Sequence, residues 1–232
     1  MSADYMGLKP HPYRLLNRTP DLATHVSDGI NFAVSGSGVF DNLGFTKTED
    51  QITQLKEVLK AAELYPKDVV RSSLLLYMVS GNDYAAYQRN NGSADVLSII
   101  ALVTSVVGQM TQDITTLYDM GFRSFVVGKL APVGCMPFVT VRTNFSSCEE
   151  EFNSVTTLHN LYLMVRLVAS FPHADILFLN NQIAFATVLY NSSNPGKKRT
   201  KSRYSSSFIN DFRTPILNLH NIQPPLLLHV SV

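Results

Sequence analysis

The sequence predicts an α/β domain whose parallel sheet is covered by helices on both faces, and three observations carry that expectation. The chain has 232 residues, 45% of them hydrophobic, which is enough to bury one sizeable core. Leu74-Leu75-Leu76-Tyr77-Met78-Val79 is a continuous apolar run, as expected for a strand buried on both faces. Short apolar runs then alternate along the chain with longer helical segments, which is the pattern of βαβ units.

Taken in order, the chain up to about Thr24 is rich in Pro and Arg and reads as loop or weak helix. Ile30 to Val34 is the first expected strand, and Ser35-Gly36-Ser37-Gly38 a tight turn after it. Thr48 with Gln51 makes a capping-box pattern, Ile52, Leu55, Leu59 and Ala62 recur on one helical face, and Pro66 ends that helix. The strand Leu74 to Val79 leads to the turn Gly81-Asn82-Asp83. Ser93 is the expected cap of a long helix running to Gly121. Its apolar part, Val96 to Met110, includes Ser98, Thr104, Ser105, Gly108 and Gln109, so it reads as a buried helix rather than a membrane span. A strand at Ser124 to Val127, a loop from Leu130 to Pro137 and a helix from Glu149 to Ser170 come next. Pro172 closes that helix, and a strand at Asp175 to Leu179 and a short helix around Ile183 to Tyr190 follow. In such sheets ligands bind beyond the carboxyl ends of the strands, where both glycine turns and the Leu130 to Pro137 loop fall.

After Asn194-Pro195 the character changes, which divides the chain into a domain over residues 1–195 and a tail over residues 196–232. The tail opens with Lys197, Lys198, Arg199, Lys201 and Arg203 and a serine run. It closes with Pro215 to Val232, apolar but without helical period or clean alternation and interrupted by Pro224-Pro225. A poorly ordered tail is expected there. Its basic run reads as a solvated segment, with a nuclear-targeting or nucleic-acid patch as the alternative. The whole chain carries 19 Lys and Arg against 18 Asp and Glu, which argues against a nucleic-acid-binding domain. The N-terminus shows no basic region followed by an apolar one, so no secretory signal is readable. Four Asn-x-Ser/Thr sequons, at Asn17, Asn91, Asn144 and Asn191, point outward nonetheless. Cys135 and Cys148 lie close enough in sequence to close one local loop, and they suit free buried thiols equally well.

Two residues are candidates for chemistry. Asn82, just past a buried strand and held by a preceding glycine, can aim its amide at the mouth of the sheet as an oxyanion donor; ordinary turn chemistry is the competing reading. Gly36 follows the preceding strand in the same way, and its N–H is a second candidate donor because a missing side chain permits close approach of substrate. Ser37 does not sit in a nucleophile elbow, since position 35 is Ser rather than Gly.

Around these residues a resemblance becomes specific. Gly29 to Gly38 and Ser80-Gly81-Asn82-Asp83-Tyr84 resemble the second and third blocks of the plant GDSL esterase/lipases, within the SGNH hydrolase superfamily. Leu130-Ala131-Pro132-Val133-Gly134-Cys135-Met136-Pro137 resembles their Leu-x-Pro-Leu-Gly-Cys-x-Pro segment, and Leu158-His159-Asn160-Leu161 their helical His-Asn motif, all in family order from about Ala3 to Arg199. The resemblance implies a three-layer, flavodoxin-like α/β/α fold and serine-based hydrolysis of a small-molecule carboxylic ester or acyl substrate. No metal or cofactor, no nucleic acid and no membrane span are expected, the setting implied is extracellular or secretory, and the oligomeric state is open. It maps Gly36 and Asn82 onto the oxyanion donors, gives His159 a structural role, and implies a disulfide between Cys135 and Cys148.

The chain departs from the family in two places. No Gly-Asp-Ser occurs in the 232 residues, and no Asp is followed three residues later by His; the histidines are His11, His25, His159, His173, His220 and His229. The expectation is therefore a fold lacking its first strand and C-terminal part, from a real truncation or an altered reading frame near Arg199. Unpaired backbone and an exposed apolar face would result where the first strand is missing. Little esterase activity is expected, and a non-catalytic pseudo-enzyme that holds acyl esters or a partner protein is the alternative.

Overall fold

All strands among the described residues run the same way. The computed structural model describes residues 13–14, 29–41, 44–61, 65–79, 81–91, 95–190 and 227–230. Within them a parallel sheet comprises β1 (Tyr13–Arg14), β2 (Gly29–Asn31), β3 (Leu74–Tyr77), β4 (Ser124–Gly128), β5 (Asp175–Leu179) and β6 (Leu227–Val230). The spatial order is β1-β2-β6-β3-β4-β5. Helices α1 (Thr48–Ala61), α2 (Lys67–Ser72), α3 (Asn82–Asn91), α4 (Val96–Asp119), α5 (Pro137–Thr140), α6 (Glu150–Ser170) and α7 (Asn181–Tyr190) connect them. The result is the α/β/α arrangement the alternation predicts.

The apolar runs are continuous because both faces of each central strand are used. Leu75, Tyr77, Phe125 and Val127 join the main core beneath α1, α4 and α6, while Leu74 and Val126 form a smaller cluster on the other face with Leu76 and Leu177. Helix α4 is long and apolar enough to cross a membrane by length and composition, the one such helix among the described residues. Val103, Val106, Val107, Met110, Ile114 and Leu117 are instead buried along one side of it, at the helical spacing of a core-facing stripe.

Several boundaries differ from expectation for identifiable reasons. The first expected strand is shorter, Gly29–Asn31; beyond it the Ala33 N–H is taken by Asn31 Oδ1 at 2.8 Å, and the turn closed by Ser37 N–H on Val34 O follows. The Thr48–Gln51 pair does not act as a capping box. Lys47 N–H donates to Asp50 Oδ2 at 3.0 Å, one residue earlier, while Thr48 and Gln51 are fully buried and spend their side chains on Asp113 and Ser37. The helix ends at Ala61, and Pro66 precedes the separate helix α2. The cap of α4 is Asp95, whose carboxylate accepts from Ser98 N–H at 3.0 Å and from Ser98 Oγ at 2.6 Å. Ser93, expected there, lies outside the described residues, as do His11, His25, His220, the basic run Lys197 to Arg203 and most of the tail.

The largest difference concerns the slot that sequence reasoning leaves empty. Four tail residues, Leu227–Val230, form β6 between β2 and β3 and pair in parallel with both. The backbone expected to be unpaired on β2 and β3 is therefore paired. Four residues, three of them apolar, suffice because backbone hydrogen bonds on two sides, rather than period, define a central strand.

Candidate active site

The chain leaves β2 and β3 on either side of β6, and each exit carries one candidate donor. Gly36 follows β2 with φ at +85°, and the Ser37 N–H closes its turn on Val34 O at 3.1 Å. A Cβ at Gly36 would fall 2.9 Å from atoms of the Phe45 ring, so both the backbone angle and the space demand glycine. The close approach foreseen for a substrate is made here by Phe45. The Gly36 N–H donates to no acceptor among the described residues.

Asn82 is the first residue of α3, not the middle of a turn. Its Nδ2 donates to Ser37 O at 2.7 Å, which fixes the amide, with its second N–H, across the mouth of the sheet. Asp83 strengthens the same link: its buried carboxylate accepts from Val39 N–H at 3.2 Å and Phe40 N–H at 3.0 Å. Three hydrogen bonds thus span from the chain leaving β2 to the chain leaving β3. Sequence reasoning missed Asp83, whose only signal was its place beside Asn82. Ser37 is fully buried, donates its hydroxyl to Thr46 O and accepts from Gln51 Nε2 at 2.8 Å, so it is a turn brace.

The third wall is the Leu130 to Pro137 loop, held by one face of α6. Asn160 brackets Leu130, accepting from its N–H at 2.8 Å and donating to its carbonyl at 3.1 Å. Thr156 accepts from Val133 N–H at 3.3 Å and Asn153 from Gly134 N–H at 3.1 Å. All three α6 side chains are buried, which explains polar residues on a core-facing side. Cys135 and Cys148 form a disulfide that closes this loop.

His159 belongs to the support, not to the reacting groups. It is fully buried on α6, with Nδ1 2.7 Å from the Tyr84 hydroxyl and no partner for Nε2 among the described residues. Burial pushes its pKa down to about 3, so the ring is neutral at physiological pH. Burial likewise raises the Tyr84 phenol. Deeper in the core, Asp113 accepts from Thr48, from Tyr77 at 2.6 Å and from Gln109 at 2.9 Å, and burial raises its carboxyl above the ordinary range despite those donors. His173 is exposed beyond α6, and His229 lies in β6 opposite Asn31 and Leu76.

Next to these elements is a cavity of about 450 Å³ lined by Tyr84, Tyr87, Leu102, Val133 and Phe152 among others. Arg142 and Glu149, 3.6 Å apart, contribute to its lining. Among the described residues no cluster of His, Cys, Asp and Glu is placed to hold a metal ion.

Turns carrying an Asn amide and a Gly N–H at the ends of neighbouring sheet exits, with an Asn-buttressed Pro-Val-Gly-Cys loop, define an SGNH-type hydrolase scaffold. The GDSL-like Lipase/Acylhydrolase family matches residues 3–198, and the chain belongs to it. A GDSL esterase/lipase of Arabidopsis thaliana is 30% identical over 211 residues, which cover 85% of this chain and 56% of the relative. GDSL esterase/lipase 22 of the same plant is 34% identical over 59% of this chain and 35% of its own length. A protein named Inactive GDSL esterase/lipase-like protein 23, also from Arabidopsis thaliana, is 33% identical over 59% of this chain and 36% of its own length. The chain spans about half the length of the curated relatives it matches over most of its own, 56%, 49% and 61% of three of them.

Proposed function

We propose that this chain carries the transition-state-binding side of a serine ester hydrolase, with Asn82 Nδ2 and Gly36 N–H as oxyanion donors, and that its own turnover of carboxylic esters is weak or nil. Family membership supports ester hydrolysis as the chemistry of the fold. The observation that carries the donor assignment is the 2.7 Å bond from Asn82 to Ser37 O, which holds the amide beside the Gly36 turn before any ligand arrives. Donors fixed in advance stabilise developing negative charge without reorganising during reaction. The reason for weak turnover is chemical. The 232 residues offer no Gly-Asp-Ser and no Asp-x-x-His, Ser37 is engaged, and His159 is buried and neutral. Without nucleophile and base, binding and the oxyanion hole retain roughly 10³ to 10⁴ of rate over water, far below a full triad.

The cavity beside Tyr84 and Val133 favours a second reading, a non-catalytic domain that holds an acyl ester. Both readings are separated by one assay on purified protein with 4-nitrophenyl butyrate. Weak turnover with ester-induced thermal stabilisation, the latter reduced in Asn82→Ala while the fold persists, is expected. Robust turnover abolished by Asn82→Ala would overturn the inactivity, and stabilisation indifferent to Asn82→Ala would overturn the donor assignment.

A further inference from the structure

The strand at the centre of the candidate site comes from the far end of the sequence. β2 and β3 make no pairing with each other; Gly29–Asn31 pair with Leu227–His229, and Leu74–Tyr77 pair with Leu227–Val230. Gly36 leaves the β1-β2 side of β6, and Asn82 leaves the β3-β4-β5 side. Neighbouring strands lie about 4.8 Å apart, so an empty slot would leave β2 and β3 separated by about 9.6 Å with two open rows of backbone groups. If the slot closed, the two exits would approach by about one strand spacing. The bonds from Asn82 to Ser37 and from Val39 and Phe40 to Asp83 are made at the occupied spacing.

The segment is suited to the slot on sequence grounds. Leu226 to Val230 contains no glycine and follows Pro224-Pro225, residues that have no N–H to donate to a ladder. Leu228 stands at the register level of Ile30 on one side and Leu75 on the other, both fully buried.

We propose that β6 is the positioning element of this site. Occupancy of the β2–β3 slot by Leu227–Val230 sets the separation of Gly36 and Asn82, and the slot accepts this extended apolar segment either attached or supplied as a free peptide. The significance for ester binding rests on the donor assignment above; the strand's role is read by measurements that involve no ligand.

The test is made on the full chain by amide hydrogen exchange and by the side-chain amide resonance of Asn82. Leu228→Pro removes a ladder N–H at the slot's centre. Protection of Gly29–Asn31 and Leu74–Tyr77 should fall by at least about tenfold, with β5 little changed and the Asn82 resonance shifted. Leu228→Val keeps both signals. A peptide spanning Pro225 to Val232, added to the Leu228→Pro protein, returns the protection and the Asn82 resonance, which a merely unfolded chain would not show. Should Leu228→Pro unfold everything, the register partners replaced as Asn31→Cys with His229→Cys give an intramolecular disulfide, because Cys135 and Cys148 are already joined. The mismatched Asn31→Cys with Leu227→Cys does not. Unchanged protection in Leu228→Pro, failure of the peptide to rescue, or equal crosslinking of matched and mismatched pairs would overturn the proposal. An ester-binding result that contradicts the donor assignment leaves all these readouts as they are.

Discussion

Burial keeps the His159 imidazole neutral down to about pH 3, so folding and protonation compete at this residue. The unfolded chain takes up a proton below about pH 6.5 and the folded chain does not, so stability present above that pH is lost as pH falls toward 3. The slope from this residue is about 1.4 kcal/mol per pH unit. Urea unfolding of His159→Gln between pH 6.5 and 4 should therefore show a shallower acid limb than the parent. Equal slopes would mean that the ring titrates normally. At this scale the positions of Asn82 and Gly36 beyond two strands were legible, because a polar residue and a glycine past apolar runs stand out. It was silent on Asp83, Asn153 and Thr156, whose roles depend on backbone groups that only folding brings near: Val39, Gly134 and Val133.

The loop from Leu130 to Cys148 behaves as one element with α6. Gly134 has no room for a side chain, since a Cβ there would fall 2.0 Å from Glu149 O and 2.8 Å from Asn153 Oδ1. Gly134→Ala must therefore push the loop off α6 and break the bonds from Gly134 N–H to Asn153 and from Glu149 N–H to Gly134 O. A loss of about 3 kcal/mol is expected by thermal or urea unfolding, in the range of strained, network-breaking substitutions. A change under about 1 kcal/mol would show that the loop moves freely. Elements with strong apolar patterning, such as β3, β4, α4 and α6, were legible to within about two residues at each end. Helix α3 was not, because Asn82-Asp83-Tyr84-Ala85-Ala86-Tyr87-Gln88-Arg89 has too few apolar residues to display a period.

The fold class and family were readable from the whole chain because four motifs occur in order, whereas the sheet order was not. β6 is a short apolar run after two prolines, and its partner Gly29 lies almost two hundred residues away in sequence. Pairings of such separation close late, since loop entropy must be overcome before contacts reward it. Pulse-labelled hydrogen exchange during refolding should show Phe125 and Val126 protected at least about tenfold earlier than Gly29–Asn31. Simultaneous protection would indicate that the sheet forms as one unit. The same order has a consequence during biosynthesis. β2, β3, β4 and β5 all leave the ribosome before the strand that joins them, and translation from Tyr77 to Leu227 takes roughly 10 to 30 seconds. Throughout that interval two facing strand edges stand open on the nascent chain, and on a crowded polysome the nearest extended segment belongs to a sister chain. A copy whose slot is filled by a neighbour's segment never acquires its own sixth strand.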